Sequence, residues 1–481
     1  MLFNSYIFVL LFFPVCLLGY YYLNSKKLYT PAQVFLIGMS LWFYGYFHPS
    51  YLVIILASVG FNYLMYLLMK KHHTRLLLVL GLGVNIGVLI YFKYMDFFIQ
   101  NINTVFRTNL PLLHILLPLG ISFFTFQQIS FLVDAWRNEV PDYRLVDYAA
   151  FVTYFPQLIA GPIVTHDELI PQFRDAGRKT VNWDNFAKGI YIFVIGLAKK
   201  VLLADTFGNA VNVGYENLAA LDTVNALLVI LGYTLQIYFD FSGYCDMAIG
   251  IGKMMNIDLP VNFNSPYKAK TIQEFWDRWH MTLTRFFTRY VYIPLGGSRQ
   301  GATRTALNIM IVFLLSGFWH GAAWTFVFWG VCHGLLSVLT RFCKKQIEAI
   351  PAAVNWLVTF VLVNILWVFF RAESFSDALC LLGKAAQLTP WNGIRGDIVK
   401  CFRLPEATLI LSRVPGTQQY PALPVFFFYA LGLFLVLGTK NSVEKMEQFK
   451  PTVWNMLFSA VLAAWCVISF SGISTFLYFN F

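Results

Sequence analysis

Two histidines lie in apolar, aromatic sequence where a proton-exchanging side chain is unusual. His320 stands in the middle of NIMIVFLLSGFWHGAAWTFVFWG, residues 308–330, which is long enough to cross a bilayer as one helix. His280 lies in TIQEFWDRWHMTLTRFFTRY, residues 271–290. An ionisable group at membrane depth is costly and tends to face the protein interior or a water-filled cavity. Both histidines are therefore candidates for proton transfer, and the alternative for His320 is a structural histidine bonded to a neighbouring carbonyl.

The residues around His320 predict a confined slot. On one continuous helix, Ser316, Gly317 and Trp324 share the face of His320. The two small residues would leave room beside the imidazole, while Trp319 and Trp324 would keep competing water away from it. This pattern predicts an imidazole that meets a reactant but little solvent.

The segment around His280 predicts a second helix with a basic stripe. Thr271 followed by Glu274 forms a capping box, so a helix is expected to begin there. The arginines of the stripe are Arg278, Arg285 and Arg289. His280 lies about 200° around the helix from them, at 100° per residue. Two interpretations remain open: the arginines bind an anionic substrate while His280 faces inward, or the helix lies among lipid headgroups with its arginines on phosphates.

Two carboxylates interrupt the apolar run QIYFDFSGYCDMAIGIG. Asp240 and Asp246 are six residues apart, so one helix puts them on different faces and a paired acid–base dyad is not supported. They are expected to pair with the arginines, cap a broken helix or position a substrate, and structural pairing is favoured. Gly243 between them indicates a helix break or a close helix approach. Lys199 and Lys200 are expected to extend to a membrane interface.

Composition assigns these residues to a membrane protein. Of 481 residues 58% are hydrophobic and 12% are charged, which excludes a water-soluble domain of this length. The net charge of +11 resides in short connections between apolar runs, where it sets topology, so no nucleic acid partner is implied. The seven cysteines are scattered without metal-ligand spacing, and neither disulfides nor a metal site are expected.

The apolar runs predict an all-α polytopic membrane protein with a single integral-membrane domain over residues 1–481. It divides into N-terminal spans at 5–98, a core at about 110–375 and C-terminal spans at 423–477. About eleven transmembrane and interfacial helices are expected, with broken or re-entrant segments in the core. Basic clusters after the first and third runs place the N-terminus on the non-cytoplasmic side.

Eight segments carry a family resemblance. In order they are FQQISFLVDAWR, YFPQLIAGPI, QIYFDFSGYCDMAIG, NFNSPY, EFWDRWHMTL, YVYIPLGG, SGFWHG and WVFFRAESF. Together, from Phe126 to Phe375, they resemble the membrane-bound O-acyltransferase family, most closely the bacterial branch with alginate O-acetyltransferase membrane subunits and, more distantly, D-alanyl-lipoteichoic-acid transfer proteins. The resemblance implies a funnel-shaped helical fold with its active site at the narrow middle. It also implies that His320 is the catalytic histidine and His280 the second one implicated.

The resemblance implies transfer of an acyl group, most simply acetyl, from a cytoplasmic thioester to a hydroxyl for O-acetylation of an exported polysaccharide such as alginate. The donor would be acetyl-CoA or an acyl carrier protein, with no permanently bound cofactor. His320 would take the hydroxyl proton, and His280 would orient the donor or stabilise oxyanion charge. The residues expected around the substrates are Trp319, Trp324, Ser316, Asp240, Asp246, Arg278, Arg285 and Arg289.

The same resemblance implies a bacterial inner-membrane location with a periplasmic N-terminus. Expected partners are membrane lipid, an exported SGNH or esterase-like acetyltransferase and polysaccharide assembly proteins. D-alanyl transfer or peptidoglycan O-acyl transfer by the same fold remains an alternative. A transporter of a lipid-linked sugar or anionic solute is the alternative from another class, which inverted repeats would favour, and none is detectable in the sequence.

Overall fold

The secondary structure is helical throughout the part of the chain that can be described. The computed structural model describes residues 1–406, 420–470 and 476–477. Across those ranges the only extended pairing is an isolated bridge between Phe263 and Trp279. The all-α prediction is confirmed.

The helices follow the chain in three groups. The first group is α1 (Phe8–Ser25), α2 (Tyr29–Gly45), α3 (Tyr51–His72), α4 (Arg75–Phe106), α5 (Ile121–Trp136), α6 (Leu145–Thr153), α7 (Phe155–Leu158) and α8 (His166–Arg174). The second group is α9 (Trp183–Ala198), α10 (Asp205–Glu216), α11 (Thr223–Met254), α12 (Ile272–Arg278), α13 (Met281–Phe287), α14 (Gly301–His320) and α15 (Trp324–Phe342). The third group is α16 (Lys344–Glu348), α17 (Ala352–Arg371), α18 (Phe375–Ala386), α19 (Gly396–Cys401), α20 (Leu423–Gly438), α21 (Ser442–Glu447) and α22 (Val453–Ile468).

Many of these helices are built for a bilayer. Among the described residues, seven helices are long and apolar enough to cross a membrane: α1, α3, α4, α11, α14, α15 and α17. Two shorter apolar helices, α20 and α22, occupy the predicted C-terminal spans, whose residues 471–475 lie outside the described ranges. The chain is a polytopic membrane protein, as predicted.

Helix α11 is the central helix. The most apolar window of α11 is 78% buried, compared with 17% for that of α4. It lies directly against α9, because a Cβ on Gly196 would lie 2.6 Å from the Gly243 carbonyl oxygen and one on Gly189 would lie 2.7 Å from that of Gly250. Glycine pairs of this kind let two backbones touch. Gly243 therefore marks a close approach within an unbroken helix, not a break.

Both aspartates of α11 form ion pairs with lysines, where arginines were expected. The Nζ of Lys199 lies 2.7 Å from Asp246, and the Nζ of Lys200 lies 2.7 Å from both Asp240 and Asp205. The expectation that the lysines extend to an interface is wrong for Lys200, whose side chain is only 2% exposed, while Lys199 is 13% exposed and pairs with Asp246 on α11. Charges at this depth persist only when they are paired and hydrogen-bonded.

Two segments expected to be continuous helices are broken. Residues 271–290 form α12 and α13, with His280 at the junction, and residues 308–330 cover the end of α14 and the start of α15, with Gly321–Ala323 between them. Face assignments based on continuous helices therefore fail beyond each break.

Candidate active site

Helices α14 and α15 form a tight hairpin that ends one helix at His320. A Cβ on Gly317 would lie 2.5 Å from the Phe326 carbonyl oxygen, and one on Gly330 would lie 2.5 Å from that of Phe313. The backbone of α15 thus fills the space that Gly317 was expected to leave beside the imidazole. Ser316, one turn before His320, is also buried.

Trp324 does not lie over His320 as expected. Its side chain is 56% exposed, its indole N–H donates to Asn101 Oδ1 at 2.9 Å, and its ring packs against Phe97. Because the chain reverses after Gly321, Trp324 starts a new helix and no longer shares the helical face of His320.

Aromatic rings from three helices confine His320. The ring centroid of His320 lies 4.8 Å from Trp319, 5.2 Å from Trp329 on α15 and 5.1 Å from Phe370 on α17. Only 3% of the residue is exposed. The predicted confinement is present, although Trp329 and Phe370 supply it in place of Trp324.

Two neighbouring residues of α4 bind the end of α14. The Lys93 ammonium donates to the carbonyl oxygen of Trp319 at 2.6 Å and to that of His320 at 3.2 Å, and the Tyr94 hydroxyl donates to that of Phe318 at 2.7 Å. Sequence reasoning missed Lys93. A lysine within an apolar run was the available signal, because a charge at membrane depth needs a partner.

His320 adjoins internal space. A cavity of about 40 Å³ is lined by His320, Trp319, Lys93 and residues 117–123, enough for a water molecule or a small reactive group. A second cavity of about 340 Å³ lies between α4 and the Gly321–Ala323 turn, and Lys93 lines both cavities. The imidazole is therefore enclosed by rings on some sides and reachable on another.

His280 occupies the break between α12 and α13. Its φ of +47° is in the left-handed region, which non-glycine residues adopt only when their surroundings enforce it. Here the segment before α12 enforces it: the Asn264 N–H donates to the Arg278 carbonyl at 2.9 Å, and the Met281 N–H donates to the Asn262 carbonyl at 3.0 Å. The break points the imidazole into the protein interior, against the Phe241 ring.

Asn262 defines the tautomer of His280. The side-chain Oδ1 of Asn262 accepts from the Thr282 N–H at 3.2 Å and from the Thr282 hydroxyl at 2.9 Å, so this atom is the amide oxygen. His280 Nδ1 lies 3.1 Å from the same oxygen and must carry a proton to donate to it. Burial lowers the pKa of His280 to about 3, so the ring is neutral and its Nε2 is an acceptor.

The two histidines flank one indole. The ring centroid of Trp319 lies 6.1 Å from that of His280 and 4.8 Å from that of His320, and the indole stacks on Phe126 of α5 at 5.2 Å. Groups from α5, the α12–α13 break and the end of α14 therefore meet at a single point.

The three arginines do not form one stripe, because the break at His280 separates Arg278 from the other two. Arg278 pairs with Glu274 on its own helix at 2.9 Å. Arg285 donates to Glu168 at 2.7 Å, and Arg289 to Glu139 at 2.7 Å. The side chains of Arg285 and Arg289 border a cleft of about 100 Å³ that also reaches Thr282, the neighbour of Asn262.

Comparisons with known proteins place this site in a family. The sequence model of the membrane-bound O-acyltransferase family matches residues 122–375, which include both histidines. The chain belongs to the membrane-bound O-acyltransferases. A peptidoglycan O-acetyltransferase of Helicobacter pylori is 41% identical over 100% of this chain and 98% of its own length. A probable alginate O-acetylase of Pseudomonas aeruginosa is 39% identical over 86% of this chain and 80% of its own, and a teichoic acid D-alanyltransferase of Bacillus subtilis is 31% identical over 47% and 60%.

Membership in the membrane-bound O-acyltransferases makes the protein an O-acyltransferase and removes the transporter alternative. The matched region begins within α5 and ends at the start of α18, so it contains the α12–α13 break and the α14–α15 hairpin. These are the elements that bring Trp319 between His280 and His320.

The contact between Asn262 and His280 gives the first prediction. Replacing Asn262 with leucine removes the acceptor of the His280 Nδ1 proton and leaves the imidazole without a defined tautomer. We expect acyl transfer to fall about 10–100-fold, by analogy with the loss of a partner that orients a metal-bound histidine. Ester formation per mole of membrane-inserted protein measures it. Cys245→Ala is the matched control, since it removes only the weak Asn262 contact at 3.5 Å; an Asn262→Leu enzyme with that control's activity contradicts the role.

Proposed function

We propose that the protein transfers an acetyl group from a thioester donor to a hydroxyl that serves an exported polysaccharide, with His320 as general base. The observation that carries this proposal is the position of His320, which ends α14 inside aromatic walls and faces a cavity large enough for a reacting group. Enclosure by rings limits competing hydrolysis, while the cavity leaves room for a reacting group beside the imidazole.

The chemistry follows from a neutral imidazole beside both reactants. His320 takes the hydroxyl proton as the hydroxyl oxygen attacks the thioester carbonyl carbon. The tetrahedral intermediate collapses, the carbon–sulfur bond breaks, and the sulfur leaves with the proton that the imidazolium returns. An oxygen ester and a free thiol are the products.

The tautomer of His280 narrows its role. A neutral ring that donates through Nδ1 to Asn262 offers only a lone pair at Nε2, so it cannot donate a hydrogen bond to an oxyanion. We therefore assign His280 the role of orienting a substrate by accepting a hydrogen bond from it, for example from an amide N–H of a pantetheine arm. This role is preferred to oxyanion stabilisation.

The two reactants would reach the site from opposite sides. Lys70 pairs with Asp142, and Arg289 pairs with Glu139 of the same loop, so the arginine cleft opens on the face with the basic loops. Lys93 is 18 residues along α4 from Arg75, about 27 Å at 1.5 Å per residue, so the larger cavity lies towards the opposite face. The positive-inside rule makes the cleft face cytoplasmic and the N-terminus periplasmic in a bacterial inner membrane.

A substitution of Arg285 tests whether the arginine cleft binds the thioester donor. Replacing it with glutamine removes a cation from the cleft and releases Glu168, so we expect the KM for the thioester to rise about tenfold with kcat nearly unchanged, the loss of one phosphate contact. Acetyl-CoA and an acetylated carrier protein are compared as donors in membrane vesicles. Arg278→Gln is the control, because Arg278 pairs outside the cleft. An equal effect of both variants excludes the cleft as the donor site.

Peptidoglycan is our first candidate for the final acceptor. The Helicobacter pylori relative, whose match covers 100% of this chain, is named a peptidoglycan O-acetyltransferase, whereas the match to the alginate O-acetylase of Pseudomonas aeruginosa covers 86%. We propose that an exported SGNH or esterase-like partner carries the acetyl group from the outer mouth to the glycan. Membrane lipid and polysaccharide assembly proteins are the other partners that we propose for the protein. Deleting the gene and quantifying base-released acetate from purified peptidoglycan and from purified exopolysaccharide separates the two acceptors. Unchanged acetate in both fractions contradicts the proposal.

A further inference from the structure

The end of helix α14 poses a backbone problem inside the protein. The last four carbonyl groups of any helix lack partners within the helix, and Trp319 and His320 are buried away from water. The usual solution is a glycine in the left-handed conformation directly after the helix. Gly321 follows His320 with an extended φ of −163°, so it does not close the helix in that way.

Lys93 and Tyr94 of α4 solve this problem from outside the helix. Between them they donate to three consecutive terminal carbonyls, those of Phe318, Trp319 and His320. The Tyr94 ring also stacks on Phe318 with centroids 4.3 Å apart. A cation at a helix C-terminus is further stabilised by the helix dipole.

We propose that Lys93 is a positioning residue that, with Tyr94, caps α14 and holds the His320 imidazole in the wall of the 40 Å³ cavity. The inference rests on the proposed role of His320 as the base. Without the cap, the last turn of α14 loses the donors that fix its carbonyls, and the imidazole shifts relative to both reactants. A displacement of about 1 Å at a reacting group is enough to cost about 10²-fold in rate.

The test uses the full-length enzyme in lipid nanodiscs with the thioester donor that supports turnover. Lys93→Met is expected to lower kcat about 10²-fold with the donor KM nearly unchanged, because the residue acts through His320. Lys93→Arg retains a cation that reaches both carbonyls and restores most of the rate. Tyr94→Phe keeps the ring stacked on Phe318 and loses one hydrogen bond, so a smaller loss of about threefold to tenfold is expected.

A second measurement separates a cap from a general loss of stability. Hydrogen exchange of the peptide spanning residues 316–326 should rise in Lys93→Met and return towards wild type in Lys93→Arg, while exchange in α11 stays unchanged. Lys71→Met is the matched control, since it removes an exposed lysine from the last turn of α3. If Lys93→Met does not insert, Tyr94→Phe and Lys93→Arg carry the same comparison.

Each outcome either supports or overturns the role of Lys93 as a positioning residue. Lower kcat with faster local exchange, both reversed by arginine, supports the inference. Faster local exchange at full activity makes the cap purely structural and overturns it, as does lost activity with unchanged exchange at 316–326. An active His320→Ala enzyme overturns the proposed function itself, whereas an inactive His320→Ala with a fully active Lys93→Met overturns only the role of Lys93.

Discussion

Replacing His320 with alanine is expected to lower acyl transfer about 10²–10⁴-fold, the range that a general base contributes. Two ionisable side chains line the 40 Å³ cavity beside Trp319, the imidazole of His320 and the amine of Lys93. The Lys93 ammonium is bonded to backbone carbonyls. The measurement is base-released acetate from the purified glycan, divided by the amount of inserted protein. A second variant, His320→Gln, keeps a polar side chain of similar length and should be equally inactive, because an amide does not accept a proton at neutral pH.

His72→Ala is the matched control for this experiment. His72 is exposed at the C-terminal end of α3, so its removal changes the histidine content without touching the site. Wild-type acetate in the control together with wild-type acetate in His320→Ala would falsify the assignment of the base. Loss of acetate in both His320 variants at normal protein levels separates lost chemistry from lost folding.

The buried pair of Lys200 and Asp240 should have the largest effect on stability. Their charged atoms are 2.7 Å apart, and their side chains are 2% and 3% exposed. Removing one partner of such a pair leaves an uncompensated charge inside the protein, which costs about 3–5 kcal/mol. We expect Lys200→Met to lose most of its folded, detergent-soluble population, all the more because Asp205 also loses its 2.7 Å contact with the Lys200 ammonium. Size-exclusion chromatography and a thermal unfolding midpoint measure this.

Substitutions of Asp240, alone and together with Lys200, complete the test. Asp240→Leu also breaks the pair, whereas the double variant Lys200→Met with Asp240→Leu removes both charges and should recover part of the stability. Lys188→Met is the control, because Lys188 makes a 2.7 Å pair with Asp184 near the surface, where the side chains are 25% and 59% exposed. Exposed pairs contribute at most about 1 kcal/mol. Equal destabilisation by Lys188→Met and Lys200→Met would show that burial does not determine the cost.

Some of the site was predictable and some was not, for identifiable reasons. The confinement of His320 was predicted from a histidine in apolar sequence, and an inward-facing His280 was one of the two interpretations of its helix. Both residues lie buried around Trp319. The role predicted for Trp324 was wrong. The turn Gly321–Ala323, which separates Trp324 from α14, consists of small residues that leave no trace in hydropathy. Local composition indicates that a segment lies in the membrane, but it does not show where the helix ends.

The partners of the charged residues were the second failure, with the same origin. Asp246 pairs with Lys199, which lies 47 positions away in the chain, and Lys93 binds the carbonyl of Trp319, which lies 226 positions away. A charged residue within an apolar run indicates that the residue needs a partner, because an unpaired buried charge is too costly. Which residue becomes the partner depends on how the helices pack.

The sequence by itself determined the membrane class, the all-helical architecture, the family and the two histidines, since these follow from composition, capping signals and motif order along the chain. Only the tertiary structure decided how these histidines are held. The glycine contacts that bring α9 to α11 and α14 to α15, the break at His280 and the cap by Lys93 all depend on contacts between separate elements, not on sequence within one helix. The physical reason is that local preferences act over a few residues, whereas close packing and the pairing of buried polar groups are satisfied across the whole bundle.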